Sequence, residues 1–245
     1  MIFNKKTLIY TLITLIAGLI IFQLLCGKLF PFSPVTLGFK KHELKNTVVY
    51  VQNEAEVVNF DALDTLIKGV EEAHDLDFIR KPGIFFFKDS LNYIRHSPLT
   101  TRFGAFSSGR LFIAPWSVKE ARQGKISMEV YVKHELSHVL IFQHKGLIGS
   151  SFYPAWLLEG IAVYTSEQLG TTHYPGKEET YQLIARGNFM PPGDFRTKRE
   201  DRTKLEVKYK HAFMYSEFAC IVDYLIESYG KEKFLSFMKA LLDKN

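Results

Sequence analysis

Apolar and polar positions divide the chain into regions with different periods. From Thr7 to Gly27 there are 21 residues without a charge, and Lys5 and Lys6 stand just before them. As a helix rising about 1.5 Å per residue, that run spans roughly 30 Å, close to the hydrocarbon thickness of a bilayer. It predicts a single-pass anchor over residues 1–27, with the short basic tail in the cytoplasm and the rest of the chain extracytoplasmic. A cleaved signal peptide is the rival reading. The stretch is long for one, and no Ala-x-Ala-like site follows it. Leu24 and Leu25 precede Cys26, where a lipoprotein signal takes small residues. Residues 28–46, with Pro31 and Pro34, read as a linker, and residues 47–245 as one domain.

Within that domain the β-branched run 47–52 predicts a strand, and the apolar run 83–88 a buried one. Residues 103–114 predict two strand pieces around residues 107–109, stopped by Pro115. Helical spacing of apolar residues predicts helices over 57–74, 126–145, 154–169, 178–185, 204–229 and 231–242. Gly146 and Gly230 act as stops, and Pro154 suits a first helical position. Residues 188–201, with Pro191, Pro192 and Gly193, read as a loop. Strands ahead of helices predict an α+β fold.

Composition narrows the function classes. Apolar residues make up 47% and charged residues 23%, which is globular rather than disordered. The 31 Lys and Arg are interleaved with 26 Asp and Glu, so no stripe for nucleic acid is expected. Two cysteines far apart in sequence, Cys26 and Cys220, exclude a disulfide framework and a thiolate zinc site. No Gly-rich phosphate loop or GxSxG elbow occurs.

One segment carries chemistry: His134-Glu135-Leu136-Ser137-His138. Two histidines at i and i+4 lie about 40° apart around a helix, so both imidazoles can face one ion. Glu135 is about 100° from His134 and can reach a water on that ion. This is the His-Glu-x-x-His pattern of zinc peptidases. It also arises by chance, as solvated side chains on a surface helix, but the helix here is strongly apolar. A catalytic zinc takes a third protein ligand and leaves one position open. Glu159, 21 residues on and early in the next predicted helix, is the candidate.

The segment His134 to His138, followed by Trp156-Leu157-Leu158-Glu159-Gly160-Ile161-Ala162, resembles the gluzincins. It is most similar to peptidase MA-like domains and the aminopeptidase N-type fold, over residues 103–242. The thermolysin-type pattern is less similar, because its Asp four residues after the Glu is Val163 here. The resemblance implies a zincin-like domain with a small mixed sheet followed by helices. It implies a zinc peptidase with His134, His138 and Glu159 on the metal and Glu135 as general base.

Two further matches extend it. Met214-Tyr215-Ser216-Glu217, running on to Tyr229-Gly230, is similar to a family helix whose first Tyr donates to the transition-state oxyanion. The resemblance gives that role to Tyr215, although the family's Gly three residues later is Phe218 here. A core aromatic is the other reading of Tyr215, and His211 is an alternative donor. Gly104-Ala105-Phe106-Ser107-Ser108 looks like the aminopeptidase edge-strand motif. The resemblance implies that Gly104, Ala105 and Phe106 bind substrate, on a shelf over residues 105–113. The family's Glu for the substrate's free amino terminus is Ser107 here, and no acid occurs from Leu91 to Val118. Glu120, Glu167 or Glu217 could replace it through the fold.

The expectation is a membrane-anchored zinc metallopeptidase that cuts internal bonds of peptide or protein substrates. The alternative is a catalytically inactive zincin-fold scaffold or binding module tethered to the membrane.

Overall fold

A computed structural model describes residues 5–243. The architecture is α+β, with a five-stranded sheet and, among the described residues, nine α-helices. The first helix, α1 (Lys5–Cys26), is long and apolar enough to cross a membrane, and none of its residues is buried. A signal sequence meets the same test of length and composition.

The strands are β1 (Phe39–Glu43), β2 (Val48–Gln52), β3 (Gly83–Phe86), β4 (Phe103–Phe106) and β5 (Arg110–Ile113). Their order across the sheet is β1-β2-β3-β5-β4. β2, β3 and β5 run parallel, and each edge strand pairs antiparallel with its neighbour. Side chains alternate between faces, as the pleat requires. Val49, Ile84, Phe86, Leu111 and Ile113 point into one core layer, against α2 (Phe60–His74) and α5 (Met128–Gly149). Phe85, Phe87 and Phe112 point into the other, which closes on Phe30 and on Tyr93 of α3 (Ser90–His96).

A second, helical layer follows α5. It comprises α6 (Ala155–Ser166), α7 (Lys177–Ala185), α8 (Lys210–Tyr229) and α9 (Lys231–Asp243). Leu157 and Ile161 of α6 share a core with Val222 of α8 and Phe234 and Met238 of α9. α5 breaks at Gly146, whose φ of 70° and ψ of 179° lie outside helical space.

Several sequence expectations need correction. Residues 28–46 are not a free linker. Phe30 is fully buried among aromatic rings, and β1 adds an edge to the sheet. Its sequence, FKKHE, carries too few apolar residues to announce a strand. α3 and α4 (Pro115–Arg122) were not expected. Pro115 ends β5 as anticipated, but it also opens α4, because a first-turn residue needs no free N–H. α8 begins at Lys210, six residues later than the apolar pattern predicts.

Candidate metal centre

α5 buries one face against the sheet through Val132, Leu136 and Leu140. His134 and His138 lie on the side that meets α6, and both are buried. α6 can come close because it is clamped onto α8 at Gly160. A Cβ at Gly160 would sit 2.7 Å from the Phe218 carbonyl oxygen. Glu159, next to that contact, is thereby turned toward the two histidines.

His134 Nε2 and His138 Nε2 are 3.1 Å apart, and each lies 3.4 Å from Glu159 Oε2. An ion bound at about 2.05 Å by nitrogen and oxygen in a tetrahedron separates its ligand atoms by about 3.3 Å. The three atoms therefore fit three corners of one tetrahedron, and this buried cluster could hold a metal ion. Burial alone would raise the Glu159 carboxyl, but the adjacent His138 and His134 outweigh it and hold it well below the usual carboxylate range.

Neighbouring groups fix the ligands. His134 Nδ1–H donates to Gln168 Oε1 at 2.8 Å, which leaves the Nε2 lone pair directed at the cluster. Gln168 is fully buried, just beyond the left-handed Glu167 that ends α6. Arg196 Nη2 donates to the other carboxylate oxygen of Glu159 at 2.6 Å, leaving Oε2 for the histidines. His138 Nδ1 is buried without a hydrogen-bond partner. On a neighbouring face of α5, His74 Nε2 meets Ser137 Oγ at 2.8 Å. Neither Gln168 nor Arg196 was singled out from sequence. Arg196 lies in the Pro- and Gly-containing loop, with φ of 56°, where no periodicity indicates which side chain turns inward.

The cluster forms the floor of a cleft of about 900 Å³. Glu135 lines this cleft and is only partly buried, so its carboxylate meets solvent beside the metal ligands. Tyr215 also lines it, with its ring stacked 6.3 Å from that of His134. Burial, and then the Glu159 charge, push the Tyr215 hydroxyl upward, so it remains a donor. His211 lines the same cleft.

The expected substrate strand is placed only in part. β4 is the sheet edge, and Gly104 and Ala105 line the cleft. Residues 110–113 are not available to a peptide, because β5 is paired on both sides. Phe106 points away, into the aromatic layer of the opposite sheet face. Ser107 sits in the β4–β5 turn, outside the cleft lining. Of the three acids that could replace the missing Glu, only Glu120 lines the cleft, and it is bound to Arg102 at 2.6 Å. Glu167 is exposed near Lys133, and Glu217 is buried against the Met190 N–H.

The chain matches no family model and no curated protein.

Proposed function

We propose that this chain is a membrane-anchored zinc metallopeptidase of the gluzincin type. The carrying observation is the tetrahedral spacing of His134 Nε2, His138 Nε2 and Glu159 Oε2 on the floor of a cleft that also holds Glu135. Two imidazoles and one carboxylate suit zinc, with the fourth position left for water. When bound, zinc supplies Lewis acidity, activating water and polarising the scissile carbonyl.

The chain's own groups do the rest. Glu135 accepts the proton of the attacking water on a carboxylate oxygen and delivers it to the departing amine nitrogen. Tyr215 donates a hydrogen bond from its hydroxyl to the developing oxyanion. Arg196 holds Glu159 so that one oxygen alone faces the histidines. A substrate backbone pairs with the open edge of β4 at Gly104 and Ala105. Among the described residues the acids lining the cleft are Glu120, paired with Arg102, Glu159 in the metal cluster and Glu135 in the base role, so none is left as a counter-charge for a free amino terminus and internal bonds are preferred.

The test is hydrolysis of matched unstructured peptides, one with a free and one with an acetylated amino terminus. Wild-type protein is expected to cut both at internal bonds. Glu135→Gln is expected to keep its metal and lose about two orders of magnitude in turnover. Loss of the metal in Glu135→Gln, or release of single residues from the free peptide alone, would contradict the reading.

The Arg196–Glu159 ion pair favours one second reading. A carboxylate already neutralised by a guanidinium could belong to a non-catalytic scaffold that retains the fold. Wild-type protein that binds zinc but cleaves neither peptide would favour that alternative.

A further inference from the structure

We propose that the domain does not hang free from its anchor but lies on the bilayer. The docking face is built by residues 29–38 and α3, and it rests on an anionic lipid surface. This rests on the reading of α1 as a membrane-crossing helix.

The first argument is reach. Four residues carry the chain from Cys26, the end of α1, to Phe30, which is fully buried in the aromatic layer. Four residues extend at most about 14 Å. The headgroup region on each side of a bilayer is about 5–8 Å deep. Whatever the tilt of α1, the surface around Phe30 therefore stands within or just above the headgroups. The connection is also fixed. Lys28 Nζ donates to the carbonyl of Ile94 and, at 2.8 Å, to that of Ser97. Arg110 donates from its two terminal nitrogens to the carbonyls of Phe30 and Ser33, at 2.8 and 2.6 Å.

The second argument is the composition of this face. Leu91, on α3, is 80% exposed, and Leu37 is 61% exposed. Leu29, Phe32, Val35 and Ile94 are also exposed. The two segments that carry them meet at Phe30, whose ring contacts both Phe39 at 5.5 Å and His96, at the end of α3, at 4.8 Å. Exposed apolar side chains gathered where a membrane helix enters a domain are covered by the interface that helix imposes. The charge agrees: residues 28–42 hold Lys28, Lys40 and Lys41 and no acid, and at α3 Lys88 and Arg95 outnumber the capping Asp89.

The docked face bears on the cleft. Leu99, two residues beyond the Ser97 carbonyl that holds Lys28, begins the cleft rim formed by residues 99–102. With the face on the bilayer, that rim opens at the membrane surface. The chain segments within its reach are those that emerge from the same membrane.

The test uses the full chain in nanodiscs of phosphatidylcholine and phosphatidylglycerol. Cys26→Ser and Cys220→Ala remove the native thiols. Single cysteines at Ile16, Leu37, Leu91, Ile148 and Tyr229 then carry an environment-sensitive fluorophore, one at a time. Quenching is measured with two nitroxide lipids, one labelled at the headgroup to report on 37, 91, 148 and 229 and one labelled deep in the acyl chain to report on 16. Labels at 37 and 91 are expected to lose most of their emission. Labels at 148 and 229, on helices away from the aromatic face of the sheet, are expected to keep theirs. Quenching at 16 alone overturns the docked face and leaves the anchor standing. No quenching at 16 removes the anchor, and the proposal with it. Quenching at 148 in place of 37 and 91 assigns the bilayer to another surface and overturns the proposal.

Discussion

His134 can face a metal through Nε2 because Gln168 takes the proton on Nδ1. Gln168→Leu keeps the volume and removes that acceptor. Metal affinity is expected to fall by about 10–100-fold, read by chelator competition on folded protein. An unchanged affinity would mean that the packing of α5, not Gln168, orients the ring. Glu217 makes a separate prediction. Burial pushes its carboxyl up to about 8, and its two oxygens accept from the Met190 N–H at 3.2 and 3.1 Å. The folded state therefore holds a proton that the unfolded state releases near pH 4.3. Stability should fall as pH rises from about 4.5 toward 8, the direction linkage gives when the native state binds more protons. Glu217→Gln keeps an acceptor for Met190 and removes the titration. It is expected to raise the melting temperature at pH 8 and leave it nearly unchanged at pH 4.5. An equal shift at both pH values would refute the assignment. His134, Glu135 and His138 were legible because helical spacing alone puts them together. Glu159 was legible as a candidate from its place 21 residues on, early in the next predicted helix, and the resemblance around Trp156–Ala162 pointed to the same residue. Gln168 and Arg196 were not, because each reaches the site through a left-handed turn or loop residue that no period describes.

The element that positions Glu159 is α6, and its distance from α8 is set at Gly160. A methyl there meets the Phe218 carbonyl oxygen and carbon at 2.7 and 2.8 Å, backbone atoms that cannot rotate aside. Gly160→Ala is therefore expected to destabilise the fold by about 1–3 kcal/mol, measured by denaturant unfolding. It should also weaken metal binding, since Glu159 moves with the helix. Unaltered stability would show that α6 and α8 can separate without cost. Long, periodic elements were readable in sequence, as α2, α5 and α9 show. Short ones were not. β1 has an exposed, basic sequence and is held by its pairing with β2, and α3 depends on the Asp89 cap that accepts the Asn92 N–H at 2.8 Å. Residues 204–209 look helical by composition but run as loop up to Lys210.

At the scale of the whole molecule, an α+β domain and an apolar helix are joined by only a few residues. The two prolines between them suggested a tether, yet Phe30 buries there instead. A lone phenylalanine in an apolar stretch does not reveal in sequence which core it enters. The sheet supplies the cleft's open edge, α5 and α6 supply the His134, His138 and Glu159 cluster that could hold a metal ion, and α8 supplies Tyr215 and the contact that fixes α6. The proposed activity depends on His134, His138 and Glu159 holding an ion. The most direct measurement is metal content of the full chain purified in detergent from zinc-containing buffer, for wild type and His138→Ala, with folding verified by circular dichroism. About one zinc per wild-type chain, and a large loss in folded His138→Ala, is the expected result. Folded wild-type protein that emerges without zinc would contradict the account.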